Sequence, residues 1–339
     1  MPGHAFILGG AGQIGRAVAE TLLAHGWEVS IASRGLRPLP DALKRRGAKT
    51  VTLDRETPGE LARALGAGAD VLIDVTAYRP DHGYQLLEVQ DRVGALVVVS
   101  SSSVYRDDAG RTLDEAAQNG FPELPEPITE AQATVAPGDE TYSTRKVALE
   151  NLLRDKAVVP LTILRPAAIS GPHSLHPREW WFVKRMLDGR KAIPLAYEGR
   201  SRFHTTSAPN LAELVHIVAE RPATRVLNIA DPEALSVARI GQAIAHAMNY
   251  KGAFKPLTNS AYPAAIGRTP WSVPRPFVLD TRAAQAIGYA PITTYNQTVA
   301  GICEDLVRRV GREDWRTAFP VLAAYGYEHF DYQAEDAAA

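Results

Sequence analysis

The chain opens on an apolar run, Ala5-Phe6-Ile7-Leu8, then passes through glycines into a segment where Ile14, Val18, Leu22 and Leu23 recur at helical spacing. The run predicts a strand at 5–8. The periodic segment predicts a helix at 13–25, which Gly26 closes. The alternation continues. Strands are predicted at 28–33, 50–53, 70–75 and 95–100, with helices at 38–46, 59–65 and 84–93 between them. The strands are short and almost wholly apolar, as in Val-Leu-Ile-Asp-Val and Ala-Leu-Val-Val-Val-Ser. Such runs suit a parallel sheet covered on both faces, and their alternation with helices predicts an α/β, Rossmann-type doubly wound fold.

The rhythm breaks over 106–140, a stretch with several acidic residues and Pro122, Pro125, Pro127 and Pro137. A loop of this length inside a compact enzyme predicts a segment beside the substrate. A strong helical pattern covers 142–156, followed by a strand at 161–164. Beyond Gly171-Pro172 the pattern turns irregular, with Trp180 and Trp181 in a predicted helix and expected to pack a core. Helices are expected at 210–220, 237–248 and 299–309, and a strand at 225–229. The small, acidic tail from Gln333 is expected to be disordered.

Composition narrows the class. Of 339 residues, 45% are hydrophobic and 22% charged, which is ordinary for a soluble globular chain long enough for a real core. The formal net charge of −1 gives no field favouring nucleic acid or an anionic membrane. Cys303 is the sole cysteine, so an internal disulfide is excluded and a reducing compartment is expected. No metal-ligating pattern is present. With no secretory leader pattern and no membrane-length apolar run, the expected location is the cytoplasm.

Two constellations carry chemistry. Gly9, Gly12 and Gly15 follow the first strand with the spacing G-x-x-G-x-x-G. A strand turns into a helix there, and the helix N-terminus at Gln13 and Ile14 offers free N–H groups to a pyrophosphate. Tyr142 and Lys146 stand at i and i+4 on a predicted helix, hence on one face. A nearby ammonium is expected to lower the phenol's pKa, fitting it for proton transfer, and the lysine can also hold ribose hydroxyls. Ser100 to Ser103 end the fifth strand at the edge where doubly wound sheets bind ligands, and a serine hydroxyl there can orient a substrate oxygen.

These segments, with Leu164-Arg165-Pro166-Ala167-Ala168-Ile169-Ser170-Gly171-Pro172, resemble the extended short-chain dehydrogenase/reductases, the NAD-dependent epimerase/dehydratase family, over most of residues 4–235. The resemblance implies a seven-stranded parallel sheet with a smaller C-terminal substrate region. It implies a dinucleotide-binding domain at 1–172, rejoined by 205–235, with a substrate region at 173–204 and 236–332. It selects Ser101, with Ser102 in reserve, beside Tyr142 and Lys146 as catalytic residues. It places Asp54 near adenine, Thr76 and Ala77 along the ribose, and Pro166, Ala167 and Ile169 beside the nicotinamide. Pairing into a homodimer through two helices is a further implication. Arg202-Phe203-His204 followed by Asn210 is similar to a family substrate segment, but Asn210 stands where an aspartate is usual, which leaves room for structural roles.

The cofactor reading turns on Ser33-Arg34-Gly35. NAD binders place an acid at the end of strand two, whereas an arginine can pair with a 2′-phosphate, so NADP is expected, with NAD as the alternative. Arg37 is a second candidate for that phosphate. The expected function is an NAD(P)-dependent oxidoreductase acting on a hydroxyl or carbonyl of a sugar nucleotide or related polar metabolite. One alternative is a sugar-nucleotide epimerase that retains NAD. Another, of a different class, is a non-catalytic nucleotide sensor or RNA binder. Gly9-Gly10, Arg34-Gly35 and Asp74 to Tyr78 are similar to an atypical branch that includes chloroplast stem-loop-binding proteins. That branch often loses the Tyr/Lys pair kept here, and the near-neutral charge lacks a basic footprint.

Overall fold

The computed structural model describes residues 3–36, 38–324 and 328–338; Arg37 lies outside them. Seven parallel strands form one sheet: β1 (His4–Leu8), β2 (Glu28–Ser33), β3 (Lys49–Thr52), β4 (Val71–Asp74), β5 (Leu96–Val99), β6 (Leu161–Pro166) and β7 (Arg225–Ile229). Their spatial order is β3-β2-β1-β4-β5-β6-β7. The order reverses between β1 and β4, where Leu8 pairs with both Ala32 and Asp74, so the crevice at this switch point opens at the carboxyl ends of both strands.

Two apolar layers cover the sheet. Helix Gln13–Ala24 turns Val18, Ala19 and Leu22 inward at helical spacing and packs with helix Ala208–Glu220 on one face. Helices Pro80–Glu88 and Tyr142–Lys156 pack together over the other face, burying Leu86, Leu149 and Leu153. A separate cluster around Trp180, Trp181, Phe182, Ile240 and Trp271 forms the core of the C-terminal region, so both predicted tryptophans are core residues. The 106–140 loop packs Phe121 and Ile128 against Phe277 and Leu279 of that region.

Boundaries differ from the sequence reading where caps were overlooked. The fourth helix begins at Pro80 and the Ala208–Glu220 helix carries Pro209 in its first turn, because a missing N–H costs nothing there. Thr294 and Gln297 form a capping box that starts the last long helix at Tyr295 rather than Val299. The tail is a helix, not disordered: Tyr332–Ala337 is capped by Asp331, whose Oδ1 accepts from the Ala334 N–H at 3.0 Å. Arg185 Nε donates to the buried Glu335 at 3.0 Å, and Arg190 pairs with Asp336. The two acids that suggested a solvated tail are the groups that dock it.

Candidate active site

The glycine turn, Ser33-Arg34, Asp54, Thr76 and Ser101 stand at or just beyond the carboxyl ends of β1 to β5. Gly9 adopts φ of 80°, and a Cβ there would lie 2.3 Å from Thr76. A Cβ on Gly15 would lie 2.3 Å from the Gly10 Cα, so the first helix can pack against its own entry turn only with glycine present. At Gly12, by contrast, a Cβ would meet only the Gly9 carbonyl at 3.4 Å. That side of the turn is open, and the N–H groups of Gln13, Ile14 and Gly15 stand at the positive end of the helix. The cradle fits a pyrophosphate. The Gln13 side chain faces elsewhere, donating from Nε2 to the Gly171 carbonyl at 2.8 Å and tying the glycine turn to the segment after β6.

Thr141 and Thr144 cap the Tyr142–Lys156 helix reciprocally, and Asp114 accepts the Ser143 N–H at 2.8 Å. Asp114 also repels the Tyr142 phenolate, which places part of the 106–140 loop beside this residue. Lys146 is enclosed, 1% exposed, and donates to the carbonyls of Ala77 at 2.5 Å and Val99 at 2.9 Å. Its Nζ lies 5.5 Å from the centre of the Tyr142 ring and 5.0 Å from that of Tyr78. Burial lowers its pKa to about 8, against the pull of Asp74 and Glu150 toward the charged form.

Tyr142 departs from expectation. Its pKa is raised, first by burial of the hydroxyl and then by the Tyr78 side chain, while the Ser101 hydroxyl opposes the rise. The lysine's hydrogens go to two backbone carbonyls, and its charge does not offset the crowding around the phenol, although the tyrosine as a whole is 38% exposed. Ser101 is half-buried, accepts the Ser103 N–H at 3.1 Å and shares a hydrogen bond with the Ser103 hydroxyl at 2.9 Å. Ser102 is buried in the short turn Ser102–Val104. Of the two serines, only Ser101 bears on the ionisation of the tyrosine, opposing the rise.

The remaining predicted residues divide. Ser33 and Arg34 stand at the end of β2, with Arg34 exposed. Asp54 is exposed and accepts the Glu56 N–H at 3.1 Å, a turn-forming role. Thr76 bonds Asp74 through its N–H at 2.7 Å. Pro166 and Ala167 are buried, and the Ala167 N–H goes to Ile229 O and Thr206 Oγ1. Ile169 is half-buried, and its carbonyl accepts from Arg178 at 3.2 Å. His204 is structural: its Nδ1 accepts from the Leu279 N–H and its Nε2 donates to Asp231 O. Asn210 is equally so, bonded to Asp231, Thr293 and Ile292.

The sequence reading missed the floor of this crevice. Asp74 is wholly buried and takes a 2.8 Å bond from Arg55 Nη1. Arg55 also donates to Thr76 Oγ1 at 3.2 Å and Gln85 at 3.1 Å. A charged residue ending an apolar strand must find a partner, and that was the available signal. A cavity of about 270 Å³, lined by Leu113, His176, Arg178, Tyr262 and Arg268 among others, lies between the 106–140 loop and the C-terminal region.

The switch-point crevice, open glycine turn and enclosed lysine define a Rossmann-type dinucleotide-binding protein. The chain belongs to the NAD dependent epimerase/dehydratase family, whose pattern matches residues 5–230. Its fold is similar to UDP-N-acetylglucosamine 4-epimerase from Methanobrevibacter ruminantium M1 (TM-score 0.68, 13% identity, covering 91% of this chain and 99% of that one). It is similar to dTDP-glucose 4,6-dehydratase from Bacillus anthracis (0.67, 16%, 91% and 98%). It is also similar to MoeE5 in complex with UDP-glucose and NAD (0.65, 22%, 91% and 100%). A comparison with curated protein sequences finds no match. Among the described residues, no helix is long and apolar enough to cross a membrane.

Proposed function

We propose that the protein is an NADP-dependent oxidoreductase acting on a hydroxyl or carbonyl group of a sugar nucleotide or related polar metabolite. The observation that carries this reading is the placement of Tyr142 beside Lys146, with Ser101 directly after β5, on the carboxyl edge that also holds the open glycine turn. Gly9, Gly12, Gln13, Ile14 and Gly15 would hold the pyrophosphate. Thr76 and Ala77 would line the ribose, and Pro166, Ala167 and Ile169 the nicotinamide. The dinucleotide supplies hydride transfer when bound. Tyr142 gives or takes the proton at the substrate oxygen, and Ser101 orients that oxygen. Lys146, held at Ala77 and Val99, presents its charge below both tyrosines.

Three features support the finer points. Arg34 is exposed at the end of β2, where a 2′-phosphate would lie and where no acid stands. The cavity at Arg178 and Arg268 would suit an anionic, phosphate-bearing substrate. The residues from 173 to 204 and from 236 to 332 supply that cavity's far wall, which supports a substrate region distinct from the nucleotide-binding part.

The deciding experiment compares Tyr142→Phe with the wild type on a panel of sugar nucleotides and carbonyl compounds. The variant is expected to bind NADP normally and to lose turnover by a factor of about 10² or more. Unchanged turnover would remove Tyr142 from proton transfer. Retention of NAD through purification, with no net redox change, would move the reading to an epimerase.

A further inference from the structure

Glu213, His216 and Glu220 stand at i, i+3 and i+7 along helix Ala208–Glu220, so their side chains share one face. That helix packs on helix Gln13–Ala24, whose C-cap is His25. The His25 and His216 rings stack with centroids 3.7 Å apart and planes 21° from parallel. One ligand-capable atom each from His25, Glu213 and His216 lies within 4.8 Å of the others. The cluster is at the amino-edge end of the first helix, opposite the glycine turn.

His216 is the telling residue. Its side chain is 8% exposed, and both ring nitrogens are cut off from solvent without a hydrogen-bond partner. Carboxylates nevertheless stand close, Glu213 Oε1 at 3.8 Å from Nδ1 and Glu220 Oε1 at 3.2 Å from Nε2, neither aligned for a hydrogen bond. A buried imidazole without partners is costly, and an ion between it and the carboxylate would satisfy it.

We propose that His25, Glu213 and His216 bind a divalent transition-metal ion, clamping the first helix to the Ala208–Glu220 helix. Two imidazoles and one carboxylate match zinc, cobalt or nickel rather than magnesium or calcium. The surroundings fit that assignment. His25 Nδ1 lies 2.9 Å from the Thr21 carbonyl, so its N–H points there and the Nε2 lone pair is directed away from it. Glu220 can take the Nε2–H of His216, leaving Nδ1 to face Glu213. His25 thus has an acceptor fixing the tautomer that coordination needs, and a small shift of Glu220 would supply one for His216. An ion must lie in the plane of both rings, so the exposed His25 ring tilts off the stack as ligand atoms close toward about 3.3 Å separation. The sequence hides this site because its two histidines come from opposite ends of the dinucleotide-binding part.

The test is titration of the chelator-stripped, tag-free full-length protein with Co²⁺, followed by visible absorption and thermal melting. One ion per chain, a ligand-field band and a raised melting temperature are expected. His25→Ala, at an exposed position, should lose at least tenfold in Co²⁺ affinity while keeping its far-ultraviolet circular dichroism. Glu213→Gln should weaken binding without disturbing the fold. Absence of saturable Co²⁺ binding to the wild type, or less than a tenfold loss in His25→Ala, would overturn the site.

Discussion

The ammonium of Lys146 lies 5.5 Å from the centre of the Tyr142 ring, while its short hydrogen bonds go to carbonyls. The lysine is therefore an anchored charge beneath the crevice, and its proton is the more easily lost. Its folded pKa of about 8 lies below the ordinary lysine value of 10.5. Between these values the unfolded chain holds a proton that the folded chain has released, so this group's contribution to stability rises with pH across the window. Below about 8 the cost of the buried cation is present in full. For function the sign is opposite. Under the proposed binding mode, nucleotide affinity should fall as pH rises through about 8, because the positive charge beneath the ribose site disappears. Fluorescence titration of NADP binding against pH measures this; a pH-independent wild type, or the same profile in Lys146→Met, would refute it.

Arg55 and Asp74 form an enclosed pair under the same crevice, with side chains 10% and 0% exposed. Removing the arginine alone leaves a buried carboxylate whose remaining bonds come from Thr76. Arg55→Ala is expected to destabilise the fold by about 3–5 kcal/mol, and adding Asp74→Asn should recover part of that loss. Urea denaturation of the two variants gives the numbers. A single-variant cost under about 1 kcal/mol would mean that water or another group compensates Asp74.

The sheet was legible because buried parallel strands write themselves as uninterrupted apolar runs, and because Gly9 and Gly15 admit few alternatives. The shared helix face of Tyr142 and Lys146 was legible through their spacing, and the edge location of the serine cluster through its position at a strand end; Ser101 itself was singled out only by the family resemblance. Asp54 and Arg55 show where that legibility stops. They are adjacent and both charged, yet only Arg55 turns inward, a choice made by Asp74 nearly twenty residues away. The docked tail was hidden for the same reason, since Glu335 finds Arg185 only after the C-terminal region has packed.

The proposed preference for NADP turns on Arg34. It is exposed and no carboxylate stands at the end of β2. Arg34→Asp should weaken NADP binding at least tenfold, through lost attraction and new repulsion of the 2′-phosphate, and leave NAD affinity unchanged or improved. Parallel titrations with the two nucleotides check this. An unchanged preference would detach Arg34 from the 2′-phosphate and return the choice to NAD, which is bound in the MoeE5 structure.

Glu179 offers a test of stability independent of catalysis. Its carboxyl group is fully buried and accepts from the Tyr295 hydroxyl at 3.4 Å; burial pushes its pKa up to about 7, against Arg178. The unfolded value is about 4.5. Between the two, the folded chain keeps a proton that the unfolded chain has lost, so stability falls as pH rises across this interval and the cost is complete above about 7. Glutamine keeps the acceptor for Tyr295 and cannot ionise. Glu179→Gln should therefore be more stable than the wild type near pH 8, by up to about 3 kcal/mol, and nearly equal to it near pH 4.5. Urea midpoints at those two pH values separate this from a packing effect, which would shift both alike. A variant less stable than the wild type near pH 8 would show that ionised Glu179 has a compensating partner in the folded chain.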